Sequence, residues 1–175
     1  PEDPFSVQRV IDRLGKNGAT TVITFTTSNR TITTTTAAGQ RSVTRLDLWG
    51  RVISTTLAPG QAPITYTYNA TGQLSQSAQG NQRWVYAYDP AQQLIARTAA
   101  SGDQIGYEYD NVGRMLTVTL PSSRTVAFDY DGNGNRTHIV MPDGSTHLLG
   151  YNALNQNTGY TPPGNAPYQF THNSD

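Results

Sequence analysis

The sequence predicts an all-β protein made of tandem antiparallel β-hairpins in a curved or spiralling sheet. Three observations predict it. An aromatic motif recurs at a fixed period, turn residues interrupt the chain twice in every period, and strand-forming residues fill the intervals. The motif reads Tyr66-Thr67-Tyr68-Asn69, Tyr86-Ala87-Tyr88-Asp89, Tyr107-Glu108-Tyr109-Asp110, Phe128-Asp129-Tyr130-Asp131 and Leu149-Gly150-Tyr151-Asn152. Its second aromatic position falls at 68, 88, 109, 130 and 151, in steps of 20, 21, 21 and 21. Self-similarity at such a period is the signature of an array of supersecondary units. Threonine is abundant, with Thr33 to Thr36 in one run, and together with Tyr, Val and Ile it favours strands. Sixteen Gly and ten Pro supply the turns.

Taken from the start, residues 1–19 form a lead-in, irregular or strand, and residues 20–175 form the repeat array. Val7, Val10, Ile11 and Leu14 have helical spacing, but the run is short, and Asp12 to Gly15 resembles a turn. Ile23-Thr24-Phe25 begins a decayed copy of the repeat, with Asn29-Arg30 where Gly-Arg belongs. Leu46-Asp47-Leu48-Trp49-Gly50-Arg51-Val52 keeps the Asp, Gly, Arg and aliphatic positions and replaces Tyr with Leu.

The cleanest unit is Tyr107 to Met115. Tyr107 and Tyr109 are two residues apart, so both project from one face of a strand. Asp110-Asn111-Val112-Gly113 reads as a tight turn, because Asp bonds the backbone two residues on and Gly takes the left-handed conformation. Arg114 and Met115 begin the returning strand. Pro121-Ser122-Ser123 then turns the chain again, as Ala58 to Gln61, Ala78 to Asn81, Ala100 to Asp103 and Met141 to Gly144 do in other units. Seven to eight hairpins, or about fifteen strands, exceed the roughly ten that an open sheet carries without curling. Phe128 to Arg136 repeats the pattern with Tyr130, Asp131 and Gly134. Phe170-Thr171-His172-Asn173 falls 21 residues after the Tyr151 unit and reads as one more copy, cut inside its turn. Tyrosines on adjacent hairpins are expected to stack in ladders, each pair contributing about 0.5–1.5 kcal/mol beyond burial.

Composition narrows the function classes. Charged residues make up 14% and the net charge is zero, so no electrostatic grip on nucleic acid is expected. The chain has no cysteine, and no apolar run reaches the length of a membrane span. The acidic, proline-rich start is not a signal peptide, so export takes another route or the signal lies on a longer precursor.

Candidate chemical sites are few. Asp129, Asp131 and Asn133 with Gly134 resemble the start of a calcium loop, but Val140 stands where a bidentate Glu belongs. The register requires a turn there in any case, so no metal is expected. His138, His147 and His172 lack metal-ligand spacing, and His172 occupies a tyrosine column. No nucleophile elbow or phosphate loop occurs. No cofactor and no enzymatic activity are therefore expected. Arg51, Arg114 and Arg136 are placed to pair with the turn aspartates Asp47, Asp110 and Asp131.

These residues resemble the YD repeat of the Rhs family, close to Tyr-x-Tyr-Asp-x-x-Gly-Arg-Leu. Tyr107 to Met115 matches it almost throughout. Tyr66 to Leu74 matches with Asn69 for Asp and Gln73 for Arg. Tyr86 to Leu94 loses Gly and Arg to Gln92 and Gln93, and Phe128 to Arg136 resembles a common variant. The positions carrying the resemblance are Tyr66, Tyr68, Tyr86, Tyr88, Tyr107, Tyr109, Asp110, Gly113, Arg114, Phe128, Tyr130, Asp131, Gly134 and Tyr151. The likeness is strong over residues 44–157 and weaker over 20–43.

The resemblance implies a segment of a β-shell. In bacterial Rhs proteins, Tc-toxin C subunits and related proteins that include teneurins, such a sheet forms a shell, and in the bacterial members it encloses a toxic C-terminal domain. It implies a secreted or cell-surface location through a bacterial secretion system. The implied partners are the remaining shell segments and an enclosed toxin domain. Separately, a unit cut inside the turn after Phe170 to His172 leaves an edge strand, so association with the rest of the shell or with copies of itself is expected. The family's self-cleavage motif is not found, so no cleavage residues carry over. The alternative is an extracellular carbohydrate- or protein-binding repeat module.

Overall fold

The computed structural model describes residues 9–16 and 18–172. They form sixteen strands and no helix. Strands β1 to β4 are Arg9–Lys16, Ala19–Thr26, Thr31–Thr35 and Arg41–Leu46. β5 to β8 are Val52–Thr56, Ile64–Tyr68, Leu74–Gln79 and Gln82–Tyr88. β9 to β12 are Leu94–Ala99, Gln104–Tyr109, Met115–Thr119 and Thr125–Tyr130. β13 to β16 are Arg136–Val140, Thr146–Tyr151, Asn157–Thr161 and Tyr168–Gln169. All sixteen follow one another in chain order in a single antiparallel sheet. This meander is the topology expected when each connection is too short to cross over a neighbour.

Two compact units divide the chain, Pro1–Val85 and Tyr86–Asp175. In the first, one row of facing residues runs Phe25, Ile32, Thr44, Thr55, Ile64 and Gln79, strand by strand from β2 to β7. Exposure alternates along β6: Ile64, Tyr66 and Tyr68 are half-buried, while Thr65 and Thr67 are exposed. In the second unit the aromatic face carries the rows Tyr107–Val118–Val126, Phe128–Ile139–His147 and Leu149–Tyr160–Tyr168. The opposite face carries Glu108, Thr117, Ala127, Val140 and Thr146. The period-2 pattern of the sequence is therefore the face pattern of the sheet.

Neither unit builds a core. Among the described residues no hydrophobic side chain is fully buried. Stability must come from ladder hydrogen bonds, cross-strand pairs and contacts between successive turns.

Two expectations need correction at the start of the chain, the turn at Asp12 to Gly15 and the position of Gly-Arg in the first repeat. The helically spaced residues lie in β1, where Val10 faces Phe25 and Leu14 faces Thr21. Val7 lies outside the described residues. Asp12 to Gly15 is strand rather than turn, since Asp12 pairs with Ile23 and Gly15 with Thr20. The decayed first repeat is also shifted by one residue: the left-handed position is Arg30, with φ 50, and not Asn29. Thr26 pairs with Thr31 without a bulge. With Thr26 at the Asp position there is no carboxylate to hold the shorter loop.

Candidate functional site: the aspartate turns and the tyrosine columns

After Leu46, Tyr68, Tyr88, Tyr109, Tyr130 and Tyr151 the turn is built one way. In the cleanest unit the Asp110 N–H donates to the Arg114 carbonyl (2.9 Å), and the Gly113 N–H donates to the Asp110 carbonyl (3.0 Å). Gly113 has φ 86. This is a type I turn followed by a left-handed residue, which leaves a bulge. A separate register shift, absent beside the Ala99–Gly102 turn, falls immediately before Leu46, Tyr68, Tyr109, Tyr130 and Tyr151 in turn. The left-handed column is Gly50, Gly72, Gln92, Gly113, Gly134 and Asn155. Asn tolerates this conformation through its short polar side chain, whereas Gln92 has no such relief.

The aspartate closes the turn with its side chain. Asp110 Oδ1 accepts from the Val112 N–H (3.0 Å) and the Arg114 N–H (2.9 Å), and Oδ2 accepts from Arg114 Nε (2.6 Å). Asp47 does the same with Trp49 and Arg51, at 2.9, 2.9 and 2.7 Å. Partial desolvation alone would raise the Asp110 carboxyl. Hydrogen bonds from the Arg114 backbone and guanidinium and from Val112 outweigh it and hold the pKa below its ordinary value. Asp47 is lowered in the same way by Arg51 and Trp49. Asp131 is lowered chiefly by the Asn135 side-chain amide.

Neutral residues reproduce the clamp elsewhere. Asn69 Oδ1 accepts from the Thr71 and Gln73 N–H groups, and Asn69 Nδ2 donates to Gln73 Oε1. Asn152 and Gln156 repeat this arrangement. Asp131 pairs with Asn135 Nδ2 (2.9 Å) and not with Arg136. The expected third ion pair is thus overturned, because Arg136 stands one residue beyond the arginine column, in the aliphatic one. Its guanidinium lies 4.4 Å from the Phe128 ring centroid instead.

Arginine and tyrosine join one repeat to the next. Arg51 Cζ lies 4.3 Å from the Tyr68 ring centroid, and Arg114 Cζ lies 4.8 Å from that of Tyr130. The tyrosine hydroxyls reach back and donate to backbone carbonyls: Tyr68 to Val52 (2.7 Å), Tyr109 to Leu94 (2.9 Å) and Tyr130 to Met115 (2.9 Å). His172, in the same column, places Nε2 at 2.6 Å from the Asn157 carbonyl. The residue after it, Asn173, lies outside the described residues. Tyr151 makes no equivalent bond to Arg136.

Direct tyrosine stacking between repeats does not occur among Tyr66, Tyr68, Tyr107, Tyr109, Phe128, Tyr130 and Tyr151. Equivalent columns are two strands, or about 9.6 Å, apart, and ring pairs need 4.5–7 Å. Guanidinium groups bridge part of that interval. Burial raises the Tyr109 phenol pKa, with Tyr107 and Asp89 adding to the effect. It raises that of Tyr88 as well, with Tyr86 adding.

The sequence reading missed one stack. His147, Tyr160 and Tyr168 lie nearly parallel, with centroids 5.8 and 6.3 Å apart. The available signal was that Tyr160 and Tyr168 are the two tyrosines outside the columns. It also missed Trp49, 76% exposed at its turn. The calcium-like run does not converge: Asp131 spends its oxygens within the turn, while Asp129 sits in the exposed row of β12 beside His138, 3.9 Å away. No metal-holding cluster is present among the described residues.

Comparison with known proteins agrees with this geometry. The family model described as the teneurin YD-shell matches residues 19–175. The crystal structure of TcdB2-TccC3-Cdc42 is similar at TM-score 0.68 and 19% identity, over 93% of this chain and 11% of that one. The Photorhabdus luminescens Tc holotoxin pore is similar at TM-score 0.66 and 20% identity, over 81% and 9%. This chain therefore spans about a tenth of the length of those proteins. No curated protein matches the sequence. The chain belongs to the teneurin YD-shell family, and its repeats are YD repeats of the Rhs type.

Proposed function

We propose that this chain is a section of wall in a YD-repeat toxin shell, which encloses a toxic C-terminal effector before delivery. The observation that carries the reading is a hairpin array with no core of its own, latched repeat to repeat by arginine and tyrosine. Such an array gains its purpose from surrounding a volume rather than from a pocket within itself. The likeness to Tc-toxin proteins supports the toxin context, and secretion follows from that context. The role is mechanical and non-catalytic: hydrogen-bonded strands keep the effector away from the cytosol. The partners are the remaining segments of the same shell and the enclosed domain. Strand β1 is exposed along its whole length, with Val10, Ile11 and Leu14 uncovered. An edge of this kind accepts another strand.

The test is limited proteolysis of the full-length protein that carries this segment. The reading predicts that the C-terminal domain survives intact while linkers outside the shell are cut. Cleavage as fast as that of the isolated domain would overturn it. The second reading, a carbohydrate- or protein-binding module, is favoured by one local feature, the exposed Trp49 beside Arg51.

A further inference from the structure

The turn joining β4 to β5 and the turn joining β6 to β7 border a hollow of about 580 Å³, lined by Trp49, Arg51, Tyr68 and residues 69–72. Arg51 stands in it between two rings, 4.8 Å from the Trp49 centroid and 4.3 Å from that of Tyr68. Asp47 holds its Nε at 2.7 Å. Its outer Nη donors meet no protein acceptor among the described residues. The equivalent Arg114 differs, because its Nη1 donates to the Asp131 carbonyl at 3.4 Å. Arg51 is therefore fixed in position with its outward donors unused.

Trp49 has no structural task at its turn. The equivalent positions hold Thr71, Ala91, Val112, Asn133 and Leu154, all on the same turn backbone. Its indole is largely exposed. A flat aromatic face beside free guanidinium donors suits a ligand with an apolar ring face and an anionic group at one edge.

We propose that this hollow binds an acidic saccharide. The carboxylate of a uronate residue takes the outer donors of Arg51, and the C–H face of its pyranose lies on Trp49. An acidic peptide fits less well. Extended peptides gain affinity from main-chain bonds at a sheet edge. Here the backbone is already engaged: Asp47 N–H to the Arg51 carbonyl, Gly50 to Asp47, Asn69 to Gln73 and Gly72 to Asn69. The proposal does not rest on the container reading and survives its failure.

The test is calorimetric titration with trigalacturonate at low salt, with neutral galactotriose and a glutamate-rich peptide as comparators. Two variants use residues that the neighbouring turn already carries. Trp49→Thr copies Thr71, and the double substitution Asp47→Asn with Arg51→Gln copies the Asn69–Gln73 pair. Val112→Thr, at the equivalent turn of another repeat, is the control. Trigalacturonate is expected to bind saturably, about tenfold or more weakly in each of the two site variants and unchanged in Val112→Thr. Binding should also fall as salt rises. Absence of binding, equal binding of galactotriose, binding of the peptide alone, or affinity unchanged in both site variants would overturn the proposal.

Discussion

Four turns of the second row, after β3, β9, β11 and β13, share the backbone of the aspartate turns and differ from them in chemistry. After β10, the Asp110 and Gly113 N–H bonds measure 2.9 and 3.0 Å; after β9, the matching Ala99 and Gly102 bonds measure 2.8 and 3.0 Å. The left-handed residues have φ 86 and φ 91. A type I turn with a left-handed fourth residue is thus enough to reverse the chain on either row. What differs is the first residue. One row places Asp or Asn there, and the other places Thr36, Ala99, Leu120 or Met141. In the second row the polar group sits two residues later in the Met141 turn, where Asp143 accepts from the Ser145 N–H at 2.9 Å, whereas Thr36 uses its own hydroxyl on the Gln40 N–H. The aspartate is therefore not needed to turn the chain. It holds the arginine that reaches the next repeat, which is why only one row has a strong sequence signature.

The largest effect should separate the rows by charge. Asp110→Ala removes the carboxylate that accepts from two backbone N–H groups and an ion pair, while Asp103→Ala removes little beyond a bond to the Ser101 hydroxyl. Thermal melts should show a clear drop for the first and almost none for the second. The pH dependence follows the same logic. A carboxyl whose folded pKa is depressed contributes stability that is present above its unfolded value, near 3.8, and lost as pH falls through the folded value. In acid melts the difference between Asp110→Ala and the parent should therefore begin to shrink near pH 4 and disappear only as the pH falls through the lower folded value.

Backbone should not separate the rows. Gly113→Ala and Gly102→Ala each force a side chain into the left-handed region, at about 1–2 kcal/mol. Denaturant titration should give nearly equal losses, with Gly113→Ala slightly worse because its Cβ would stand 3.1 Å from Gln93 Nε2. A loss at one glycine only would break the comparison.

Two smaller effects sharpen it. Tyr109→Phe removes the bond to the Leu94 carbonyl and should cost about 0.5–1.5 kcal/mol, whereas Tyr107→Phe, which gives up no hydrogen bond, should be close to neutral in the same denaturant titration. Gln92→Gly relieves a left-handed glutamine at φ 67 and should stabilise by about 0.5 kcal/mol, the gain being limited by the greater freedom of glycine in the unfolded chain. Thermal melts against the parent check the sign.

Much of this was legible in the sequence because local chemistry repeats. Period, turn residues and face alternation each act over a few residues, so the hairpins and the pairs Asp47–Arg51 and Asp110–Arg114 follow from spacing. His172 was readable as a column member, and it makes the carbonyl contact of that column. The errors arose where register or distance decided. Arg136 lies one position past the arginine column. The Thr26 to Thr31 loop gained a residue where Asp and Gly were both missing. Tyrosine ladders failed because equivalent columns are two strands apart, a separation that the residue pattern does not display. Trp49 gave no signal because a turn tip constrains its side chain so little.

The central claim, that this segment is part of a closed wall, is tested most directly by cryo-electron microscopy of the full-length protein that carries it. The account predicts that β1 to β16 lie in a closed shell of strands surrounding separate density for a C-terminal domain. An open array of hairpins with no enclosed density would contradict it.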